Sequence, residues 1–253
     1  MSELLRERQG HIEILTINRP EARNAINLAT ATALSDALDD IEADDDVWVV
    51  VLTAAGDKAF SAGMDLKAFA SGEFPITEKG FGGITKRDFP KALIAACNGS
   101  ALAGGCEIML SCDLVVAAEH AKFGIPEVAR GLVAGAGGLI RLPKRIPRAI
   151  ALELALTGEP IDAARALQIG LVNRVVPGDQ LMGEAMALAE RIAKNAPLAV
   201  RLSKQVMKQA AELSEAEAWS INDAVFGEIG RSADAMEGAI AFAEKREPNW
   251  TGK

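Results

Sequence analysis

Hydrophobic and polar positions along the first half of the chain alternate between two periods. Residues 11–18, HIEILTIN, partly alternate and predict a strand, whereas residues 47–54, VWVVVLTA, form a continuous apolar run typical of a strand buried on both faces. Between them, helical spacing from a good N-cap residue, Asn27, to Ala43 predicts a helix. The same order returns in KALIAACNG, LAGGCEIMLSC and DLVVAAE. This alternation indicates βαβ units, an α/β fold and a largely parallel sheet.

The pattern changes after about residue 145, where almost every segment has helical spacing and only LVNRVV predicts a strand. The last helices carry Trp219, Phe226 and Phe242, which have few intrachain partners in so thin a layer. They pack either against a second subunit or on the chain's own core, and the sequence leaves both interpretations open. Residues 71–84, rich in glycine and polar side chains, predict a mobile lid loop.

The net negative charge of the chain argues against some classes of binding partner. The 253 residues carry a net charge of -8, and an acidic surface repels nucleic acid and anionic membranes. No stretch approaches the roughly 20 apolar residues that span a bilayer. The charged N-terminus has no apolar signal segment, so we expect a cytoplasmic protein.

Cysteine and histidine usage argues against disulfides and metals. The cysteines, Cys97, Cys106 and Cys112, are odd in number and lie in apolar contexts, so they predict reduced core residues. Neither His11 nor His120 has partners at metal-ligand spacing. We therefore expect no metal site.

One glutamate, Glu107, stands inside the apolar run ALAGGCEIML. Gly104 and Gly105 precede it at the start of the predicted helix, where free amides attract negative charge. The segment FSAGMDL offers a second glycine turn before a helix, and two such sets of amides can form an oxyanion hole. Glu127, in GIPEVARG, lies 20 positions after Glu107 and is followed by AGAGG. Two carboxylates in one dry site divide into an acid and a base.

Each feature also has a purely structural interpretation. Glu107 can be a helix N-terminal residue stabilised by the dipole, Glu127 a surface residue after Pro126, and AGAGG a packing turn. Other enzyme classes fit less well. A nucleotide-dependent dehydrogenase needs a GxGxxG motif after a strand, and the early strands lack it. A serine hydrolase needs GxSxG, but Ala59 stands where the first glycine of that motif would precede Ser61.

The chain resembles the crotonase, or enoyl-CoA hydratase/isomerase, family over nearly its whole length. The resemblance rests on TINRPEARNAI, FSAGMDL, NGSALAGGCEIMLSCDLVVAAEHAKFGIPE, ALTGEPIDAARALQIGLVNRVV and AFAEKREPNW. It implies a spiral of ββα repeats in residues 1–195, with the active site, and a helical trimerisation region in residues 196–253. It also implies an acyl-CoA substrate, no cofactor beyond the coenzyme A of that substrate, and a homotrimer or a hexamer of two trimers.

The resemblance also implies a role for individual residues. Glu107 and Glu127 are the expected catalytic pair, the amides of Met64 and Gly104 the oxyanion hole, and the amide of Gly135 a water-positioning group. The expected coenzyme A contacts are Glu21, Ala22, Arg23, Ala62, Asp65 and Leu66, joined by Phe242 and Lys245 of a neighbouring subunit.

The two glutamates favour reversible syn hydration of a 2-enoyl-CoA over isomerisation, because isomerases of this family commonly keep only the carboxylate at the position of Glu127. The chain departs from many hydratases at three positions. It has Glu21 where they have lysine, Ala134 where they have proline, and Met64 where they have alanine. A carnitinyl-CoA dehydratase is the alternative, since GCEIMLSCDLVVAA and AFAEKREPNW resemble that branch. A catalytically silent assembly module is an alternative of another class.

Overall fold

A computed structural model describes residues 2–253. Its strands are β1 (Leu4–Gln9), β2 (Ile12–Ile17), β3 (Val49–Ala54), β4 (Ala59–Ser61), β5 (Ile76–Thr77), β6 (Gly80–Phe81), β7 (Ala92–Cys97), β8 (Ser100–Leu102), β9 (Leu114–Ala118), β10 (Lys122–Gly124), β11 (Ile161–Asp162) and β12 (Arg174–Val176). Its α-helices are α1 (Leu28–Ala43), α2 (Leu66–Ala70), α3 (Gly104–Leu110), α4 (Gly138–Arg145), α5 (Arg148–Thr157), α6 (Ala163–Gln168), α7 (Leu181–Ala193), α8 (Pro197–Ala210), α9 (Glu215–Ile229) and α10 (Ala233–Glu244).

The larger sheet within residues 2–253 has six strands in the order β1-β2-β3-β7-β9-β12. Every pair from β2 onward is parallel, as the sequence predicts. Strands β3 and β7 are buried at every position, which explains their continuous apolar runs. The side chain of Asn27 accepts a hydrogen bond from the Thr30 amide, so the predicted cap of α1 is confirmed.

The first strand is absent from the sequence-based prediction. β1 pairs antiparallel with β2 from Leu4 opposite Ile17 to Gln9 opposite Ile12. Only Leu4 of this strand is buried. The charged segment LLRERQ therefore lacks a hydrophobic alternation, because it forms the exposed edge of the sheet.

A smaller sheet, in the order β11-β10-β8-β4, lies beside the larger one. The main core contains side chains from one face of the larger sheet together with α1 and α3, including Leu15, Leu34 and Ile108. The opposite face packs against α7 through Leu181 and Ala185. Strand β8 of the smaller sheet leads directly into the start of α3, and the candidate site forms at this junction.

The segment 71–84 differs from the lid loop that the sequence predicts. It contains the antiparallel hairpin of β5 and β6, in which Ile76 lies opposite Phe81. Residues 80–85 are buried, and a side chain on Gly83 would overlap Ala31 of α1. Only the first part of the segment, up to residue 79, is mostly exposed.

The C-terminal helices expose large apolar side chains. None of the residues of α9 is buried, and Phe226 and Phe242 are 76% and 88% exposed. Asp234 is buried and binds the chain end by accepting hydrogen bonds from the amides of Thr251 and Gly252. Within residues 2–253 no helix is long and apolar enough to cross a membrane.

Candidate active site

The start of α3 brings a helix N-terminus into the middle of the protein. Ala103, which precedes the helix, has φ 52° and no side-chain cap. Gly105 packs so closely against Ser61 of β4 that a Cβ atom there would overlap the Ser61 carbonyl. All residues of α3 are buried, and Glu107 is only 3% exposed. The sequence prediction that Glu107 sits in an apolar environment at a helix N-terminus is therefore confirmed.

Two backbone amides hold the carboxylate of Glu107. Its Oε1 accepts hydrogen bonds from the amides of Ala136 at 2.7 Å and Gly138 at 2.8 Å. Burial raises the pKa of Glu107 to about 7, the charge of Glu127 adds to this, and the two amides oppose it. A carboxyl group with this pKa is poised to exchange a proton near neutral pH.

Glu127 lies close enough to act electrostatically on Glu107. It belongs to a 3-10 turn, Pro126–Arg130, that follows β10. Its Oε2 is buried and has no hydrogen-bond partner within residues 2–253. Burial raises its pKa as well. The structure thus brings together the two glutamates that the sequence paired, and one buried oxygen remains available for a ligand.

Two backbone amides near the start of α3 are unpaired within residues 2–253. A Cβ atom on Gly63 would lie 2.9 Å from the amide nitrogen of Gly104, so the turn before Met64 and the start of α3 are in contact. Among residues 2–253, the amides of Met64 and Gly104 donate to no protein acceptor. Ile26 pairs with this turn on its other side, donating to the Gly63 carbonyl at 2.8 Å. The turn is therefore held in place while its next amide stays free.

The carboxylate of Asp65 is already engaged inside the protein. It forms an ion pair with Arg19 at 2.9 Å and caps α2 by accepting from the Lys67 and Ala68 amides. Arg19 also donates to the Ala25 carbonyl at 2.5 Å. This network supports the turn that carries Met64. The sequence analysis did not predict this role for Arg19, although the residue lies in TINRP, one of the segments that carry the family resemblance.

The expected coenzyme A contacts fall into separate places. Arg23 and Ala62, joined by a 3.1 Å backbone hydrogen bond, line an open cavity of about 530 Å³ together with Lys58 and His120. Glu21 and Leu66 are exposed and Ala22 is half-buried. Phe242 and Lys245 lie at the end of α10, fully outside that lining.

Gly135, the predicted water-positioning residue, is exposed, and its neighbours Ala136 and Gly138 donate their amides to Glu107. The three cysteines are free and buried, as the sequence predicts. Within the described residues 2–253, no group of three or more His, Cys, Asp or Glu side chains is arranged to hold a metal ion.

Free amides near a buried glutamate, Glu107, and a half-buried one, Glu127, define a site suited to stabilising an enolate while moving protons. Solved structures share this fold. The enoyl-CoA hydratase of Mycobacterium tuberculosis H37Rv superposes with a TM-score of 0.97 at 49% identity, and the carnitinyl-CoA hydratase of Mycobacterium avium with a TM-score of 0.82 at 48% identity. In both comparisons all of this chain and all of the other chain are covered.

The enoyl-CoA hydratase/isomerase family model matches residues 7–253. The carnitinyl-CoA dehydratase of Salmonella arizonae is 41% identical over the full length of both chains. The protein therefore belongs to the enoyl-CoA hydratase/isomerase family, as its sequence motifs indicate.

Proposed function

We propose that the protein is an enoyl-CoA hydratase, a lyase that adds water reversibly to the double bond of a 2-enoyl-CoA. The single observation that carries this proposal is the pairing of the buried Glu107 with the half-buried Glu127, each with a raised pKa. Membership of the family supports the acyl-CoA class of substrate. The enzyme needs no cofactor in this proposal, because coenzyme A enters as part of the substrate.

The proposed chemistry begins at the thioester carbonyl. The amides of Met64 and Gly104 bind its oxygen and stabilise the negative charge that develops there. One donor of this kind is typically worth about 3 kcal/mol. A single water lies between the glutamates, and its oxygen bonds to the β-carbon. One glutamate accepts a proton from that water, and the other delivers a proton to the α-carbon.

The two carboxyl groups divide these tasks because their surroundings differ. Oε1 of Glu107 is held by two amides, which favour its ionised form, whereas Oε2 of Glu127 has no partner within residues 2–253. We assign Glu107 as the fixed base and Glu127 as the residue that binds water with its free oxygen. In the reverse reaction the two exchange roles. The amide of Gly135 remains proposed as a further contact to this water.

The coenzyme A moiety is proposed to lie along the cavity that contains Arg23 and Ala62. The cationic side chains of Arg23 and Lys58 make its wall suitable for phosphate groups. The carboxylate of Asp65 is bound to Arg19 and its amide donates to the Ile26 carbonyl at 2.9 Å, so the contact proposed from Asp65 to the ligand is one of packing. We also propose a homotrimer or hexamer in which residues 196–253 form the interface and present Phe242 and Lys245 to a neighbour.

An absorbance assay tests the function directly. Purified protein is mixed with crotonyl-CoA, and the loss of the conjugated thioester band is followed for the wild type, Glu107→Gln and the matched control Glu119→Gln. Glu119 is an exposed glutamate outside the site. Rapid loss in the wild type and the control, abolished in Glu107→Gln, supports hydration. Double-bond migration without hydration identifies an isomerase, and no turnover in an intact assembly identifies a silent module.

A carnitinyl-CoA dehydratase is the second candidate. It is favoured by the relatives of that name. The rings of Phe69 and Phe74, 5.3 Å apart and edge to face, lie just after the Met64 turn and offer aromatic faces to a cation. The chain has no tyrosine to complete an aromatic cage. Running the same assay with crotonobetainyl-CoA decides between the two, since turnover of this substrate alone supports the second candidate.

A further inference from the structure

The loop whose amides bind Glu107 has few side chains that could fix its conformation. Residues 134–138, AGAGG, provide the two amides that bind Oε1. Gly137 has φ 106°, a conformation open to glycine and strained for other residues. A loop of glycine and alanine has no side chains with which to fix its own shape, so another residue must hold the amides in place.

Arg141 is placed to do this. It lies in the first turn of α4, and its guanidinium folds back over Gly137 so closely that a Cβ atom there would overlap Nη1. Nη2 donates to the Thr85 carbonyl at 2.5 Å, and Nη1 reaches the Ala136 carbonyl at 3.4 Å. The side chain of Arg141 thus connects the loop 134–138 to the buried segment 80–85.

We propose that Arg141 is a positioning residue, which clamps the loop 134–138 against Thr85 and thereby fixes the two amides on the Glu107 carboxylate. The kinetic test of this role rests on the proposed hydratase function, whereas the stability test does not. Two charged side chains, Glu127 and Arg141, and the two amides act on the carboxylate of Glu107. Glu127 and burial raise its pKa, whereas Arg141 and the two amides lower it.

Two variants separate the clamp from the charge. In Arg141→Met both are lost, so we expect kcat to fall about tenfold with KM changed less than about twofold, because Arg141 is not among the residues proposed to contact the substrate. The acid limb of the kcat profile moves to higher pH by roughly one unit, the low end for loss of a neighbouring opposite charge. Arg141→Lys keeps the charge and loses the fork. We expect this variant to have the acid limb of the kcat profile at its wild-type pH but a kcat below that of the wild type.

The control is Arg148→Met, an exposed arginine at the start of α5, which leaves both the rate and the pH profile unchanged. A fall in activity of Arg141→Met with an unmoved acid limb, or an equal shift in the control, overturns the proposal. If Arg141→Met does not fold, the lysine variant decides, since a full rate there shows that the clamp geometry is unimportant.

A second readout needs no catalysis. The melting temperature of Arg141→Met is compared with its parent at about pH 5 and about pH 8, in the wild type and in a Glu107→Gln background. We expect a larger loss at the higher pH, where Glu107 is ionised, and no pH dependence when Glu107 is replaced. An equal loss in both backgrounds overturns the proposal even if the protein proves to hydrate no substrate.

Discussion

Replacing Glu107 by glutamine tests the central electrostatic argument about the site. Glutamine keeps an oxygen that can accept from the amides of Ala136 and Gly138, so the local fold is expected to persist. It removes the charge and the titration. We expect kcat to fall by about 10²–10⁴, the usual contribution of a positioned acid or base.

The magnitude for stability follows from the pKa. Burial raises the pKa of Glu107 from the ordinary 4.5 to about 7. A rise of this size corresponds to about 3 kcal/mol. Because the folded state holds its proton more tightly than the unfolded state, the wild type has its full stability below the unfolded pKa. It loses this amount as pH rises through the folded pKa.

The assay is thermal or denaturant unfolding of the wild type and Glu107→Gln over a range from about pH 4 to about pH 8. Groups that do not interact with Glu107 titrate alike in both proteins and cancel in the difference. We expect the variant to gain about 3 kcal/mol over the wild type across this range. For a chain of this size that is roughly 6–12 °C in melting temperature. A difference that stays constant with pH refutes the reasoning, because Glu107 then titrates like an ordinary exposed carboxyl.

Four further predictions follow from the structure. Glu127→Gln lowers hydration by about 10²–10⁴ with normal circular dichroism, and near-normal turnover removes this residue from the mechanism. Gly63→Ala places a Cβ atom 2.9 Å from the Gly104 nitrogen at φ +90°, so kcat falls by about 10²–10³ through a displaced oxyanion amide; unchanged steady-state kinetics contradict that placement. Asp65→Ala loses a helix cap and an ion pair and lowers the free energy of unfolding by about 1–2 kcal/mol, as denaturant titration measures. Phe226→Asp puts a charge on a side chain that is 76% exposed, and sedimentation shows smaller species if α9 forms the proposed interface, whereas an unchanged assembly excludes this residue from it.

Local sequence was sufficient for much of the fold. The continuous apolar runs of β3 and β7, the Asn27 cap and the glycine start of α3 each depend on neighbours along the chain, and all three are confirmed. A lone glutamate in an apolar run also indicated that Glu107 is buried. Its pairing with Glu127 was predicted from their spacing of 20 positions and from the family resemblance.

Contacts between distant segments decided the rest. β1 forms because β2 offers it hydrogen bonds, and the segment 80–85 is buried because Gly83 packs against α1 and Gly82 against α3. Sequence by itself determined that a carboxylate is buried at a helix N-terminus. Only the tertiary structure decided that Ala136 and Gly138 bind it and that Arg141 supports them. The physical reason is that periodicity and capping are properties of adjacent residues, whereas a hydrogen-bond partner and a pKa depend on groups that folding brings together.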